Sequence, residues 1–120
     1  MASTVLPVTI PNGQSLSNGV NLSQLVGGKS ELVGIQLPAG WTAAAISFQA
    51  SHDGTTYGDV FDAAAEISLA GAAVAAGRYI SLDPGKFRSL RFVKVRSGLG
   101  GAAVAQGADR IVQLIVRSYA

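Results

Sequence analysis

The amino-acid sequence contains 120 residues, carries a formal net charge of +2 at pH 7 and has no cysteine. The lack of cysteine excludes disulfides, thiolate nucleophiles and cysteine-type zinc sites, and the small net charge argues against a nucleic-acid-binding protein. Charged residues make up only 13% of the chain and hydrophobic residues 48%, which predicts a weakly charged, rather apolar surface. Such a surface favours contact with other protein chains, and we expect a homo-oligomer or a larger assembly.

The first residues show no targeting segment. Positions 1–7 lack the basic start and the apolar run of a signal peptide, and no stretch approaches the roughly 20 apolar residues of a membrane span. We therefore expect synthesis in a host cytoplasm and no membrane partner.

The N-terminal third predicts short strands separated by turns. Val5–Ile10 contains Pro7 and precedes Pro11, and because proline cannot donate to a β-ladder we expect these prolines at a sheet edge or at the start of a strand. Asn12 and Gly13 predict a turn. The other elements predicted in this third are a short, irregular strand or two over 14–22, a helical turn over 25–29 and a strand over 32–37 with Val33, Ile35 and Leu37 inward.

A hairpin follows at positions 46–61. Ile46, Phe48 and Ala50 alternate with polar residues, a period of two that buries one face of a strand. The Asp-Gly pair at 53–54 then supplies the turn, because glycine takes the positive φ that tight hairpin turns need. A second strand rich in β-forming residues comes directly after this turn.

The second half of the chain repeats the same alternation. Residues 71–77 favour either a short helix or a connecting loop. Ile111 and Ile115 lie on the side of the last strand opposite its inward residues, so they need cover from another chain. The predicted strands and their inward residues are 64–69 with Ile67 and Leu69, 78–82 with Ile80 and Leu82, 90–96 with Val93 and Val95, and 110–117 with Val112, Leu114 and Val116.

Short strands at this spacing, each followed by a turn, are typical of a β-sandwich or a jelly roll. We therefore predict an all-β fold, an antiparallel β-sandwich or jelly roll of about eight strands. Positions 1–120 are expected to form one domain, since the sequence contains neither a linker nor a convincing internal repeat.

No residue pattern in the sequence predicts a catalytic, cofactor or metal site. The glycine-rich run 98–103 matches a loose dinucleotide fingerprint, but too little chain follows it for the required helix and second parallel strand. His52 and Asp53 are neighbours in an exposed turn, which is a poor geometry for a base dyad. Asp53, Asp59 and Asp62 lack the dense oxygen ligands of a calcium loop and leave at most a weak cation site. We predict neither enzyme activity nor a bound cofactor or metal ion.

Trp41 has two interpretations. Near the loop tips of a β-sandwich, an exposed tryptophan can stack on a sugar ring, with Tyr57 and His52 beside it. A tryptophan in this position can equally fill the core or anchor an interface. The first interpretation predicts the carbohydrate-binding module of an adhesion fibre, and it requires Trp41 to be exposed.

Positive charges concentrate between Arg78 and Arg96, where Asp83 is the only acidic residue. This stretch is compatible with a basic face for phosphates. The alternative is that these side chains are solvated on alternate strand positions or pair with acidic residues of a neighbouring chain. The stretch lacks the interleaved aromatic platforms of a nucleic-acid-binding surface, so we favour the second interpretation and expect no nucleic acid partner.

Parts of the sequence resemble two groups of known proteins. The passages 46–57, 78–82 and 90–96 resemble strands and turns of discoidin-like β-sandwiches, although the chain lacks the cysteines and the loop-tip aromatic cluster of the sugar-binding members. Over nearly its full length, from 8–17 through 106–110, the chain is similar to small structural proteins of tailed bacteriophages and gene transfer agents. The second resemblance implies a virion structural protein.

These observations together predict a non-enzymatic phage protein of the virion that decorates the capsid or lies at a head or tail vertex. Its partners would be other virion proteins, namely major capsid or vertex proteins, and copies of itself. The edge strand Val5–Ile10 would pair with neighbouring subunits, and the basic stretch would meet acidic patches of the capsid. The residues predicted to contact partners are Val8, Ile10, Arg88, Arg91, Lys94, Arg96, Ile111 and Ile115.

Overall fold

The chain folds into two antiparallel β-sheets that pack face to face, which confirms the predicted all-β sandwich. The predicted helical turn at 25–29 and the predicted partner residue Arg88 lie outside the residues that the structure describes. The computed structural model describes residues 3–22, 30–71, 74–87 and 90–118.

The strands of the described residues range from two to nine residues in length. The longest three are the first strand, the strand after position 90 and the last strand, and each of them contributes to the core. The strands are β1 (Ser3–Ile10), β2 (Val20–Asn21), β3 (Ser30–Gln36), β4 (Ile46–Ser51), β5 (Gly58–Asp59), β6 (Ser68–Leu69), β7 (Tyr79–Ser81), β8 (Phe92–Leu99), β9 (Ala102–Ala103) and β10 (Arg110–Ser118).

The strands are divided between a four-stranded sheet A and a six-stranded sheet B. Sheet A has the order β1-β10-β3-β7, which places β10 in its interior and β1 at one edge. Sheet B has the order β2-β8-β4-β5, with β6 also pairing with β4 and β9 with β8. The position of β1 confirms the edge strand that Pro7 predicts.

The core lies between the two sheets and is built mainly from the inward sides of the longer strands. The rings of Phe48 and Phe87 meet edge to face, with their centroids 5.0 Å apart, which is a favourable geometry for an aromatic pair. The hydrophobic side chains with no exposed surface are Ile10, Leu22, Leu32, Ile35, Ile46, Phe48, Val93, Val95, Val112, Leu114 and Val116.

The prediction for the inward side of β3 is wrong at one position. Leu32 is fully buried, whereas Val33 is only half-buried. The register with β10 shifts here, because Ile115 lies opposite Gly34 and Val116 lies opposite Leu32, so that Val33 is passed over. This β-bulge reverses the inward–outward alternation of the β3 residues that precede it. The sequence of β3 alone gives no sign of the shift in register.

Two predicted turns are confirmed by the backbone of their glycines. Gly13 and Gly54 have φ angles of 79° and 80°, in the left-handed region that glycine adopts at little cost. Residues 74–77 form turns, which favours a connecting loop over a helix in the described part of that segment. Among the described residues, no helix is long and apolar enough to cross a bilayer.

Candidate interaction surfaces

The outer side of sheet A carries a row of apolar side chains, Val5, Ile111, Ile115 and Tyr79, which we call face A. Val5, Ile111 and Tyr79 are 57%, 51% and 54% exposed. Val5 lies opposite Ile115, and Ile115 lies opposite Gly34 on the next strand. The ring of Tyr79 covers Gly34, since a Cβ atom at Gly34 would overlap it. The row therefore crosses all four strands of the sheet.

The polar groups of face A are neutral amides or a paired charge. Gln113 lies opposite Gln36, and the Gln36 amide donates to the carbonyl of Gly77 at 2.9 Å. At one end of the face, Nε of Arg117 donates to Oε1 of Glu31 at 2.8 Å. Among the described residues, face A thus carries no side-chain charge without an opposite charge beside it.

Two of the residues predicted to contact partners lie on face A, and two lie beneath it. Ile111 and Ile115 point outward, as the alternation of β10 predicts. Val8 and Ile10 are only 1% and 0% exposed, because the same alternation in β1 turns them into the core. Their side chains are unavailable to a partner, so the prediction is wrong for both.

Sequence reasoning missed Val5 and Tyr79. Each precedes an inward residue in an alternating strand, Leu6 and Ile80 respectively, so the period of two places both outward. This alternation could have been recognised in the sequence. The register that places Val5 and Tyr79 in one row could not, because it depends on how β10 and β3 pair.

The exposed edge of β1 is closed along part of its length. The backbone amide of Thr9 donates to Oδ1 of Asn18 at 2.9 Å, and the Thr9 carbonyl accepts from the Asn18 amide at 3.3 Å. Pro7, two residues earlier and hence on the same side of the ladder, has no N–H to donate. Pairing with a second chain is thereby limited to Ser3–Val5, less than the predicted edge over Val5–Ile10.

The outer side of sheet B is polar and is centred on Arg96, whose side chain is only 7% exposed. Its guanidinium donates to Oδ1 of Asp59 and to Oε2 of Glu66, each at 2.7 Å. Its Nε donates to Oγ of Ser47 at 2.9 Å. The predicted contact between Arg96 and a partner is therefore wrong, because acidic residues of its own chain enclose it.

Further hydrogen bonds fix the two carboxylates around this arginine. The amide of Gly100 donates to both oxygens of Glu66, at 3.0 and 3.2 Å. Nε2 of Gln49 donates to Oδ1 of Asp59 at 3.2 Å. The hydrogen bonds from Arg96 and then Gln49 hold the pKa of Asp59 below its ordinary value, because both favour the ionised carboxylate. We call Arg96, Asp59, Glu66 and Gln49 the arginine network.

A groove of about 570 Å³ lies on sheet B beside the turn that joins β4 to β5. Its walls include Tyr57 and the 90% exposed side chain of His52, two of the three residues predicted to contact a sugar. Arg91, predicted to contact a partner, lies on the same groove. Nζ of Lys94 lies 4.3 Å from the centroid of the Tyr57 ring, so another predicted partner residue adjoins this wall.

Trp41 lies in the core and not in this groove. It is 6% exposed, and its indole N–H donates to the carbonyl of Ala44 at 3.4 Å. The interpretation of Trp41 as a core residue is correct. The structure does not bring it together with Tyr57 and His52, so the predicted three-residue sugar site is wrong in this respect.

The aspartates considered for a cation site have separate structural roles. Oδ1 of Asp53 accepts from the amide of Thr56 at 2.9 Å, and this bond is the largest cause that holds the pKa of Asp53 below its ordinary value. Asp62 caps its own loop in the same way, and Asp59 belongs to the arginine network. Nε2 of His52 is 4.0 Å from Oδ2 of Asp53, too far for a hydrogen bond. In the described ranges, no group of three acidic, histidine or cysteine residues could hold a metal ion.

Comparisons with known proteins add a similarity of fold alone. No protein-family model matches the chain, and no curated protein matches it. Among solved structures, the fold is similar to the crystal structure of the Yersinia pseudotuberculosis-derived mitogen, with a TM-score of 0.43 at 7% sequence identity. The alignment covers 98% of this chain and 86% of the mitogen, and a similarity of this size carries no inference about activity or partners.

Proposed function

We propose that this chain is a non-enzymatic structural subunit of a tailed-phage virion, either a capsid decoration protein or a component of a head or tail vertex. The observation that carries the proposal is face A, where apolar side chains, three of them exposed, are spread across a whole sheet. Exposed apolar side chains grouped on one side of a sheet mark a protein contact. The resemblance of the sequence to phage structural proteins supports the virion as the setting. Its mechanism is surface complementarity between subunits.

A second copy of this chain is the partner that fits face A best. Burying its apolar side chains contributes roughly 25 cal/mol per Å² of apolar surface removed from water. The amides of Gln36 and Gln113 can both donate and accept, and the Arg117–Glu31 pair is internally neutral. Two identical faces therefore meet without like-charge repulsion, as a two-fold contact requires. The closed part of the β1 edge works against open-ended strand addition.

Light scattering over a range of concentrations tests the self-contact. We expect a discrete oligomer whose dissociation constant rises at least about a hundredfold in Ile111→Asp, because the contact would bury an unpaired charge from each copy. Phe61→Asp is the matched control, since Phe61 is 61% exposed but lies outside face A. A wild-type protein that stays monomeric throughout, or equal effects of the two variants, would contradict the contact. Circular dichroism of both variants verifies that they fold.

The virion setting needs a separate experiment. Particles released by the cells that encode this chain would be purified by density and their proteins quantified by mass spectrometry. We expect the chain at a fixed number of copies per particle, and loss of those copies in Ile111→Asp. Particles that lack the wild-type chain would overturn the virion proposal while leaving the self-contact standing.

The carbohydrate-binding alternative requires an exposed Trp41 to stack on a sugar ring, and Trp41 is buried. The groove that holds Tyr57 and His52 is the observation that still favours a ligand site on this chain. That site lies on sheet B, away from face A, and is compatible with a structural subunit.

A further inference from the structure

We propose that the groove on sheet B binds an acidic sugar, that is, a pyranose ring that carries a carboxylate. The groove joins an aromatic side chain, Tyr57, to a cation, Arg91, and to the polar side chains of His52 and Thr56. An aromatic residue suits the apolar side of a sugar ring. A guanidinium suits a carboxylate, which it can hold through two parallel hydrogen bonds.

The charge balance of the described residues leaves the cations at this groove without an acidic partner, although Arg91 lies over the ring of Phe92 and Lys94 over that of Tyr57. Arg91 and Lys94 make no ion pair within the described ranges. The seven acidic side chains of the sequence are each engaged elsewhere. Their partners are Arg117 for Glu31, the amides of Thr55 and Thr56 for Asp53, Arg96 for Asp59 and Glu66, the amides of Ala64 and Ala65 for Asp62, the amide of Gly85 for Asp83 and the amide of Asn12 for Asp109.

The aromatic wall of the groove is held in place before any ligand arrives. The hydroxyl of Tyr57 lies so close to the backbone of Gly19 that a Cβ atom at Gly19 would overlap it. The ammonium of Lys94 lies over the ring at 4.3 Å from its centroid, which is a favourable cation–π geometry. A side chain fixed in this way loses little conformational entropy on binding. Gly19 and Lys94 are thus positioning residues for Tyr57.

The size and composition of the groove favour a short saccharide over a nucleic acid. Its volume of about 570 Å³ lies within the usual range of small-ligand sites, roughly 300–1,000 Å³. Single-stranded nucleic acid needs several aromatic platforms along a continuous basic track. Among the described residues that line this groove, Tyr57 is the only tyrosine, tryptophan or phenylalanine, and Arg91 and Lys94 are its neighbouring cations.

This inference does not depend on the proposed virion function. The groove and face A lie on different sheets, so loss of binding at one leaves the other intact. A chain that binds acidic sugars without entering particles, or the reverse, separates the two proposals.

Calorimetric titration with defined oligosaccharides tests the inference. The probes are trigalacturonate and sialyllactose, which carry carboxylates from two different sources, and galactotriose and lactose as their neutral counterparts. We expect at least one acidic probe to bind with a dissociation constant of about 1 mM or lower, and its neutral counterpart at least about tenfold more weakly, since it lacks the carboxylate that Arg91 would hold. Equal binding of acidic and neutral probes, or no binding of any probe, would overturn the proposal.

Two variants, each with a control, locate the binding within the groove. Arg91→Gln should weaken the acidic probe about tenfold and leave the neutral probe unchanged, because it removes the charge alone. Gly19→Ala should weaken both probes by displacing Tyr57, whereas its matched control Gly101→Ala, with open space at its Cβ, should change neither. Lys86→Gln removes a positive charge outside the groove and controls for net charge.

A single-stranded DNA 12-mer is the competing ligand in the same titration. If it binds more tightly than every acidic saccharide, and Arg91→Gln weakens it, the groove belongs to nucleic acid and the sugar proposal fails. If the DNA binds weakly and equally to wild type and Arg91→Gln, the acidic sugar remains the assigned ligand.

Discussion

The outer sides of the two sheets differ in polarity: that of sheet B is polar, and that of sheet A is apolar. Sheet B carries polar side chains on its outer side at Ser47, Gln49, Lys94 and Arg96, and β5 and the segment after it bring Asp59 and Glu66 onto them. Sheet A exposes Val5, Ile111 and Tyr79, and no described loop covers them. The polar groups of the arginine network on sheet B are hydrogen-bonded within the chain. The apolar side chains on sheet A stay exposed, as is typical of a protein contact.

A stretch of positive charge in the sequence does not by itself mark a contact surface in this chain. Arg96, the last residue of the basic stretch, is predicted to contact a partner, yet it is enclosed by its own chain. Ile111 and Ile115 are predicted to need cover from another chain, and both lie on the outer side of sheet A, where Val5 and Tyr79 add exposed apolar surface.

The largest predicted effect concerns the arginine network. Arg96→Ala leaves Asp59 and Glu66 close together without a counter-charge, so we expect the free energy of unfolding to fall by about 3–5 kcal/mol. Denaturant unfolding followed by circular dichroism measures this loss. Arg91→Ala is the matched control, because Arg91 is exposed, and a surface change of this kind should stay within about 0.5 kcal/mol.

A triple replacement sharpens the same test. Arg96→Met combined with Asp59→Asn and Glu66→Gln removes all three charges together, and buried ion groups replaced in this manner often lose little stability or gain some. We therefore expect the triple variant to be more stable than Arg96→Ala. A triple variant that is less stable than the single one would show that the network contributes more than the removal of unpaired charge explains.

The strand alternation of β8 and β10 could be predicted from the sequence, since Val93, Val95 and the inward residues of β10 are separated by exposed or polar positions. The difference in burial between Lys94 and Arg96 could not be predicted. Both occupy the outward side of β8, and what separates them is Asp59 and Glu66, which lie at least 30 positions away in the sequence from Arg96. Local pattern fixes the side of a strand, whereas burial depends on what other segments bring to that side.

The bulge in β3 and the burial of Trp41 were beyond sequence reasoning for the same reason. Val33 fits the expected alternation, and it is passed over only because of how β10 pairs with this strand. Trp41 follows a Pro-Ala-Gly turn that is equally compatible with a loop tip or a core position. Long-range pairing decides both, and a single sequence carries little of that information.

Acid should reduce the stability that the arginine network on the outer side of sheet B contributes. The pKa of Asp59 is lowered in the folded chain by Arg96 and Gln49, so its contribution to stability is complete above the unfolded carboxylate pKa of about 3.9. That contribution is lost as the pH falls through the lower, folded-state pKa. We expect the unfolding free energy of the wild type to fall between pH 5 and pH 2 by more than that of Asp59→Asn.

The oligomer held by face A should respond differently over the part of this range in which the chain stays folded. Among the described residues, face A carries no carboxyl or imidazole group apart from Glu31, which pairs with Arg117 at one end, so the dissociation constant should change little between pH 7 and pH 5. A large change in this interval would show that charge, and not apolar area, holds the copies together. Light scattering at each pH, with circular dichroism to verify folding, makes the measurement.

The smallest predicted effect is also the most local test of face A. A methyl group at Gly34 would displace the ring of Tyr79, whose far end is the group it meets, so Gly34→Ala should fold normally while breaking the apolar row at its third strand. We expect the dissociation constant of the oligomer to rise about fivefold, equivalent to about 1 kcal/mol. Gly58→Ala has open space at its Cβ and should leave the constant unchanged. If Gly34→Ala does the same, Tyr79 lies outside the contact, and the surface that joins two copies narrows to β1 and β10.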